Sequence, residues 1–139
     1  MGVSKSTLQG AHDGFYEALN LLLHGNDVPF RDVWSDTADV TFMGPMGGSI
    51  TTGASAVLDN FHGVSQMGLG GRVTPEDVHI VELGDMGYST CVERGVVHTI
   101  GGALVSVSHR ATNIFRREGG AWRMVPHHTD LSSGLNVIP

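Results

Sequence analysis

His109-Arg110-Ala111-Thr112-Asn113-Ile114-Phe115-Arg116-Arg117-Glu118-Gly119-Gly120-Ala121-Trp122-Arg123-Met124-Val125-Pro126-His127-His128-Thr129-Asp130 reads as strand, tight turn and strand. β-Branched and aromatic residues are spread along both arms, and the glycine pair supplies the backbone freedom that a short hairpin turn demands. Upstream, Val73 to Leu83, Tyr88 to Ile100 and Ala103 to Arg117 have the same character and are joined at Gly84-Asp85 and Gly101-Gly102. With Trp122 to Asp130 as the last member, four long strands are predicted to form an antiparallel meander.

The first half of the chain has a different period. Leu8, Ala11, Phe15, Ala18, Leu19, Leu22 and Leu23 recur at the spacing of one helix face, with Ser6 or Thr7 available as cap and Gly25-Asn26 as terminator. A short second helix is expected from a cap at Asp27 to Trp34, with Pro29 in its tolerant first turn. Ala38 to Met43 alternates like a half-buried strand, and Gly44 to Gly48 turns it toward a second short strand near Ile50. Gly53 opens a third helix over about Ala54 to Met67, with Val57, Leu58, Phe61 and Val64 on one side. Residues 1–139 thus predict one α+β domain, with three N-terminal helices packed on a strongly curved antiparallel sheet.

Composition narrows the function classes. The net charge of −6, with only 8 Lys and Arg, offers no footprint for nucleic acid or anionic lipid, and no segment is long and apolar enough to span a bilayer. Met1-Gly2-Val3-Ser4-Lys5-Ser6-Thr7 lacks the apolar core of a signal peptide, so a cytoplasmic location is expected. Cys91 is the only cysteine, which excludes an internal disulfide and a cysteine-based zinc cluster; it reads as a small core residue. Nucleophile, nucleotide and cofactor motifs are absent.

The hairpin quoted above, together with Trp34-Ser35-Asp36-Thr37-Ala38-Asp39-Val40 and Gly53, resembles the nuclear transport factor two-like superfamily. That superfamily comprises SnoaL-like proteins, ketosteroid isomerase, scytalone dehydratase and the association domain of calmodulin-dependent kinase. The resemblance covers nearly the whole chain and implies a cone-shaped α+β barrel fold enclosing an apolar cavity. It also implies homodimerisation through the outer sheet face. Matching the strands to that pattern places Ala111, Asn113 and Phe115 inward, with Val125, His127 and Thr129 on the next strand and Thr90, Val92 and Arg94 on the strand before. Arg110, Trp122, His128 and Asp130 then face outward, and Trp122 and Met124 are expected to cover the dimer interface. A register error of one residue would swap the two sets.

Within that frame His127 and Arg94 are the candidate catalytic pair, because an imidazole and a guanidinium aimed into an apolar cone need a ligand or a partner. The duller alternative leaves Arg94 at a wet rim or paired with Glu93 or Glu118. Asn113, which the resemblance aligns with an oxyanion donor, is a candidate ligand contact, as are His109, Thr129, Tyr16 and Trp34; each would serve equally as plain core. His128 and Asp130 share a face but give only two ligands, so no metal is expected. No carboxylate lies in Val40-Thr41-Phe42-Met43, which argues against the steroid isomerase mechanism. Val96 stands two residues beyond Arg94, where the epoxide hydrolases of this fold carry an Asp. Two readings remain open. One is a cofactor-independent isomerase, cyclase or dehydratase acting on a small carbonyl or polycyclic compound through His acid and base chemistry. The other is a noncatalytic ligand-binding or dimerisation module in which Arg94 holds a carboxylate.

Overall fold

The computed structural model describes residues 5–132, so the first four residues of the N-terminal stretch read above lie outside the described residues. Helix α1 runs Leu8–Leu23, α2 Val28–Val33 and α3 Ala54–Ser65; the strands are β1 Thr41–Met43, β2 Thr51–Thr52, β3 Arg72–Leu83, β4 Met86–Ile100, β5 Ala103–Glu118 and β6 Ala121–Leu131. Thr7 caps α1 by accepting a 3.0 Å hydrogen bond from the Gly10 N–H. Asp27 precedes α2 but makes no capping bond; its carboxylate is taken by His62 at 2.8 Å and by Arg31.

The six strands form one open, curved sheet in the order β2-β1-β6-β5-β4-β3. β3 to β6 are the antiparallel meander expected from their glycine turns. The hairpin of β1 and β2 joins it by laying β1 parallel to β6, with Phe42 beside His127, so the sheet as a whole is mixed. No helix is long and apolar enough to cross a membrane.

Three single-residue irregularities decide which side chains face the helices. At the β4–β5 turn Ile100 pairs with Ala103 and His98 with Val105, but further along Gly95 pairs with Val107. β4 therefore spends two residues, Val96 and Val97, where β5 spends one. Val97 has φ +60°, a conformation a β-branched residue adopts only where the surrounding structure imposes it. A second bulge sets Asp77 and Val78 of β3 against one residue of β4, and a third sets Val125 and Pro126 of β6 against Ile114. Each bulge reverses the in–out alternation of its strand relative to its neighbour.

The third bulge corrects the expected placement of two core residues. Phe115 is opposite Met124, while Asn113 is opposite His127, so Met124, Trp122, His127 and Thr129 all lie on the helix-facing side. Trp122 and Met124 are buried in the core with Phe15, Leu22, Phe30, Trp34 and Val57, and do not form an outer face. The Arg117 guanidinium stacks 4.7 Å from the Trp122 ring and closes that end. Trp122→Glu should consequently unfold the domain and not merely separate subunits. A loss on the order of 3 to 5 kcal/mol, as for truncating a buried aromatic, is expected in urea unfolding; a folded variant of near-native midpoint would contradict this placement.

Candidate functional site

β4, β5 and α1 bring a polar cluster together inside the apolar shell. Ser89, Cys91 and Glu93 alternate on the inner side of β4, opposite Asn113, Ala111 and His109 of β5. Tyr16 and His12 reach them from α1, one turn apart. The Tyr16 hydroxyl donates to Glu93 Oε2 at 2.8 Å, accepts from Asn113 Nδ2 at 3.0 Å and lies 3.2 Å from the Cys91 sulfur. Asn113 Nδ2 also donates to Ser89 Oγ at 3.2 Å, and its Oδ1 accepts from His127 Nδ1. Ser89 Oγ is 2.8 Å from His12 Nδ1.

Glu93 sits at the centre. Its Oε2 faces His127 Nε2 at 3.7 Å as well as Tyr16, whereas its Oε1 faces His109 Nδ1 at 3.5 Å. Burial alone would push this carboxyl up; the donors at His109 and Tyr16 and the charge at His127 outweigh it and hold the group below the ordinary carboxylate value. His127 is packed among rings, with Phe15 at 4.9 Å and Phe42 stacked at 5.8 Å. That burial depresses its imidazole below the usual value against the pull of Glu93. With Nδ1 donating to Asn113, Nε2 carries the free lone pair next to a carboxylate. A proton accepted there lands beside a negative charge, which is the arrangement that makes an imidazole an effective base.

His12 is likewise held low, chiefly by burial, and its Nε2 has no partner among the described residues. We place its proton on Nδ1, donating to Ser89, because a bare buried acceptor costs less than a buried N–H left unpaired. The second buried polar atom without a partner is the indole nitrogen of Trp34.

The structure places the residues singled out from sequence as follows. His127, Asn113, Tyr16 and His109 meet around Glu93. Thr129 is buried nearby and donates to the Met43 carbonyl. Trp34 is no lid; it lies in the core beside Phe15, Phe30 and Phe61. Arg94 is outside. The bulge at Val96–Val97 shifts β4 by one residue, so Arg94 points to the outer face, where it binds Glu76 at 3.1 Å and Ser108 at 2.7 Å. Thr90 and Val92 turn outward with it, and Glu93, treated from sequence only as a surface partner for Arg94, takes the inner position. Pairing Glu93 with His109 across the strands was the signal that could have found it, since a carboxylate opposite an imidazole at an inward position is costly without a role.

The expected inner cavity is also displaced. A depression of about 440 Å³ lies on the outer sheet face, between His79, Thr90, Val92, Thr112 and His128, and one of about 220 Å³ lies under the β1–β2 turn. Glu93 and His127 line neither. Arg110 and Asp130 flank the first as a bidentate pair at 2.8 Å. Among the described residues no three His, Cys, Asp or Glu side chains are placed to hold a metal ion.

These ionisation states fix a pH dependence. His127 and His12 bind a proton more weakly folded than unfolded, so their stability contribution is full above the unfolded value of 6.5 and falls as pH drops through the folded values. Glu93 contributes above its unfolded value of 4.5, and Asp27, Asp39 and Asp130 above theirs of 3.8, and each loses that contribution lower still. Urea midpoints should therefore be level above pH 7, decline from about pH 6.5 and decline again below about 4.5. His127→Gln should flatten the upper decline, and an unchanged slope in that variant would show that His127 is not held neutral.

A model of the SnoaL-like domain matches residues 13–132. No curated protein matches the chain. Among solved structures, a proposed dehydratase of the nuclear transport factor two-like family from Streptomyces avermitilis is 26% identical, with a TM-score of 0.76 over 88% of this chain and 92% of that one. A proposed calcium/calmodulin-dependent kinase type II association domain from Thiobacillus denitrificans is also 26% identical, with a TM-score of 0.76 over 96% and 100%. A ketosteroid isomerase-like protein from Erwinia carotovora atroseptica, 17% identical over 93% and 96%, shares the fold with a TM-score of 0.77.

Proposed function

The chain belongs to the SnoaL-like domain family, and from that premise we propose that it is a cofactor-independent lyase or isomerase acting on a small carbonyl compound, with His127 and Glu93 as its proton-moving pair. The observation that carries this reading is the Glu93 carboxylate, buried between the Tyr16 hydroxyl at 2.8 Å and His127 Nε2 at 3.7 Å. A structural role at that depth would be served as well by apolar packing, so a carboxylate placed there supports a chemical role. His127 Nε2 takes a proton from the carbon next to the substrate carbonyl, and Glu93 stabilises the imidazolium that forms. Returning the proton at another carbon is isomerisation; expelling a β-hydroxyl as water is dehydration, the activity proposed for the Streptomyces relative. Arg94, engaged with Glu76 and Ser108, has no part in this scheme.

The test is turnover of a panel of β-hydroxy and β,γ-unsaturated ketones by the wild type, Glu93→Gln and His127→Gln. Each substitution should lower kcat a hundredfold or more while the protein stays folded, the range typical of a lost general acid or base. Equal turnover by all three, or none by the wild type together with ligand-induced thermal stabilisation, would favour the noncatalytic binding module.

A homodimer through the outer sheet face remains our reading of the assembly, supported by half-buried Tyr88, Thr90 and Val92 on that face and by the groove that Thr90 and Val92 border. Light scattering should give a dimer at micromolar concentration, and Val92→Glu should give folded monomers. A wild-type monomer would remove the idea.

A further inference from the structure

Glu93 divides its two oxygens between two environments. Oε2 faces inward, to Tyr16 and His127, both buried; Oε1 faces His109, whose side chain keeps 19% of its surface exposed. Among the described residues in contact with the carboxylate, His109 alone is open to water. It is fixed as the cross-strand partner of Glu93 on β5, and its surroundings carry Asp130 on β6, Arg110 on β5, and His127 and Tyr16 beyond the carboxylate. An imidazole can take a proton on one nitrogen and release one from the other, and a carboxylate that accepts a proton on one side can turn and deliver it on the other.

We propose that His109 is the proton-exchange residue of this site, passing protons between solvent and His127 through the carboxyl group of Glu93. Resting on the acid–base reading above, this names the route by which that pair is recharged. His109 takes a proton from solvent on Nε2, the imidazolium passes its Nδ1 proton to Glu93 Oε1, and the neutral carboxyl turns about its Cγ–Cδ bond to deliver that same proton to His127 Nε2. The net change is one proton moved from solvent onto His127, with Glu93 again a carboxylate and His109 again neutral, and no group beyond the three and solvent is required. His109 touches no substrate in this scheme and acts through Glu93.

The experiment measures how fast the His127 ring exchanges its proton, from the line shape of its Cε1–H resonance at the midpoint of its own titration, in substrate-free protein. Wild type should show one averaged signal. His109→Leu should slow exchange at least tenfold and split or broaden the signal. His109→Gln, which keeps a donor toward Glu93 Oε1 but cannot pass a proton through itself, should slow it equally and keeps the test open if the leucine variant does not fold. Exchange at the wild-type rate in either folded variant overturns the proposal, because the residue would then be only a hydrogen-bond donor. Turnover by Glu93→Gln is a separate measurement, so the acid–base reading stands or falls independently of this result.

Discussion

Everything in the interior answers to one requirement: a carboxylate on the middle of a buried strand must be supplied with donors or not be charged at all. Removing such an ion from water costs several kcal/mol, even after relaxation. Glu93 meets that cost with donors from two elements, Tyr16 of α1 and His109 of β5, and faces the His127 ring of β6. Tyr16 and His127 are tied in turn. Asn113 bridges Tyr16, Ser89 and His127, and Ser89 meets His12. α1 is thus docked on the sheet by a polar seam as well as by Leu8, Phe15 and Leu22, and its rotational setting is specified more narrowly than apolar packing alone would specify it.

Glu93 reaches that seam only because β4 is bulged, and the bulge is held in place from outside. His98, buried just beyond Val96–Val97, bonds the Gly70 carbonyl at 2.8 Å through Nδ1, and Thr99 N–H donates to the Leu69 carbonyl at 2.7 Å. The His98 ring lies over Gly95, where an added Cβ would come within 2.3 Å of Nε2, so only glycine fits beneath it. The loop between α3 and β3 therefore helps to decide which side chain of β4 faces the core. At the opposite end Arg116 gathers Asp39, Glu118, Ser35 and Thr37, fastening the segment before β1 to β5 and bringing Phe42 alongside His127.

The order of elements was legible because each announces itself locally: a 3.6-residue period in α1, glycine pairs between the long strands, Gly53 ahead of α3. The inward set on β5, and His127 and Thr129 on β6, were legible too, since the family pattern spans that hairpin. What was not legible was parity across a bulge. The turn at Gly101-Gly102 puts Arg94 opposite His109 if β4 runs regularly; one extra residue at Val97 replaces it with Glu93, and nothing in Val96-Val97 as residue types signals a positive φ. The same arithmetic at Val125-Pro126 hid Trp122 and Met124 in the core. The parallel seating of β1 on β6 escaped for a different reason: three residues are too few to carry a pairing signal of their own.

The bulge in β4 also bears on how this chain should be lined up with its relatives. Chemistry at the inner wall depends here on whether the strand between the hairpin tip and the site is bulged, so a strand of the same length that runs regularly offers arginine where this one offers glutamate, without any substitution. An ungapped comparison of two such strands would score them as nearly identical while matching an acid in one to the exterior of the other. Forming or losing one bulge near the tip is thus a route between unlike inner walls that substitution at the wall itself would have to cross in several steps.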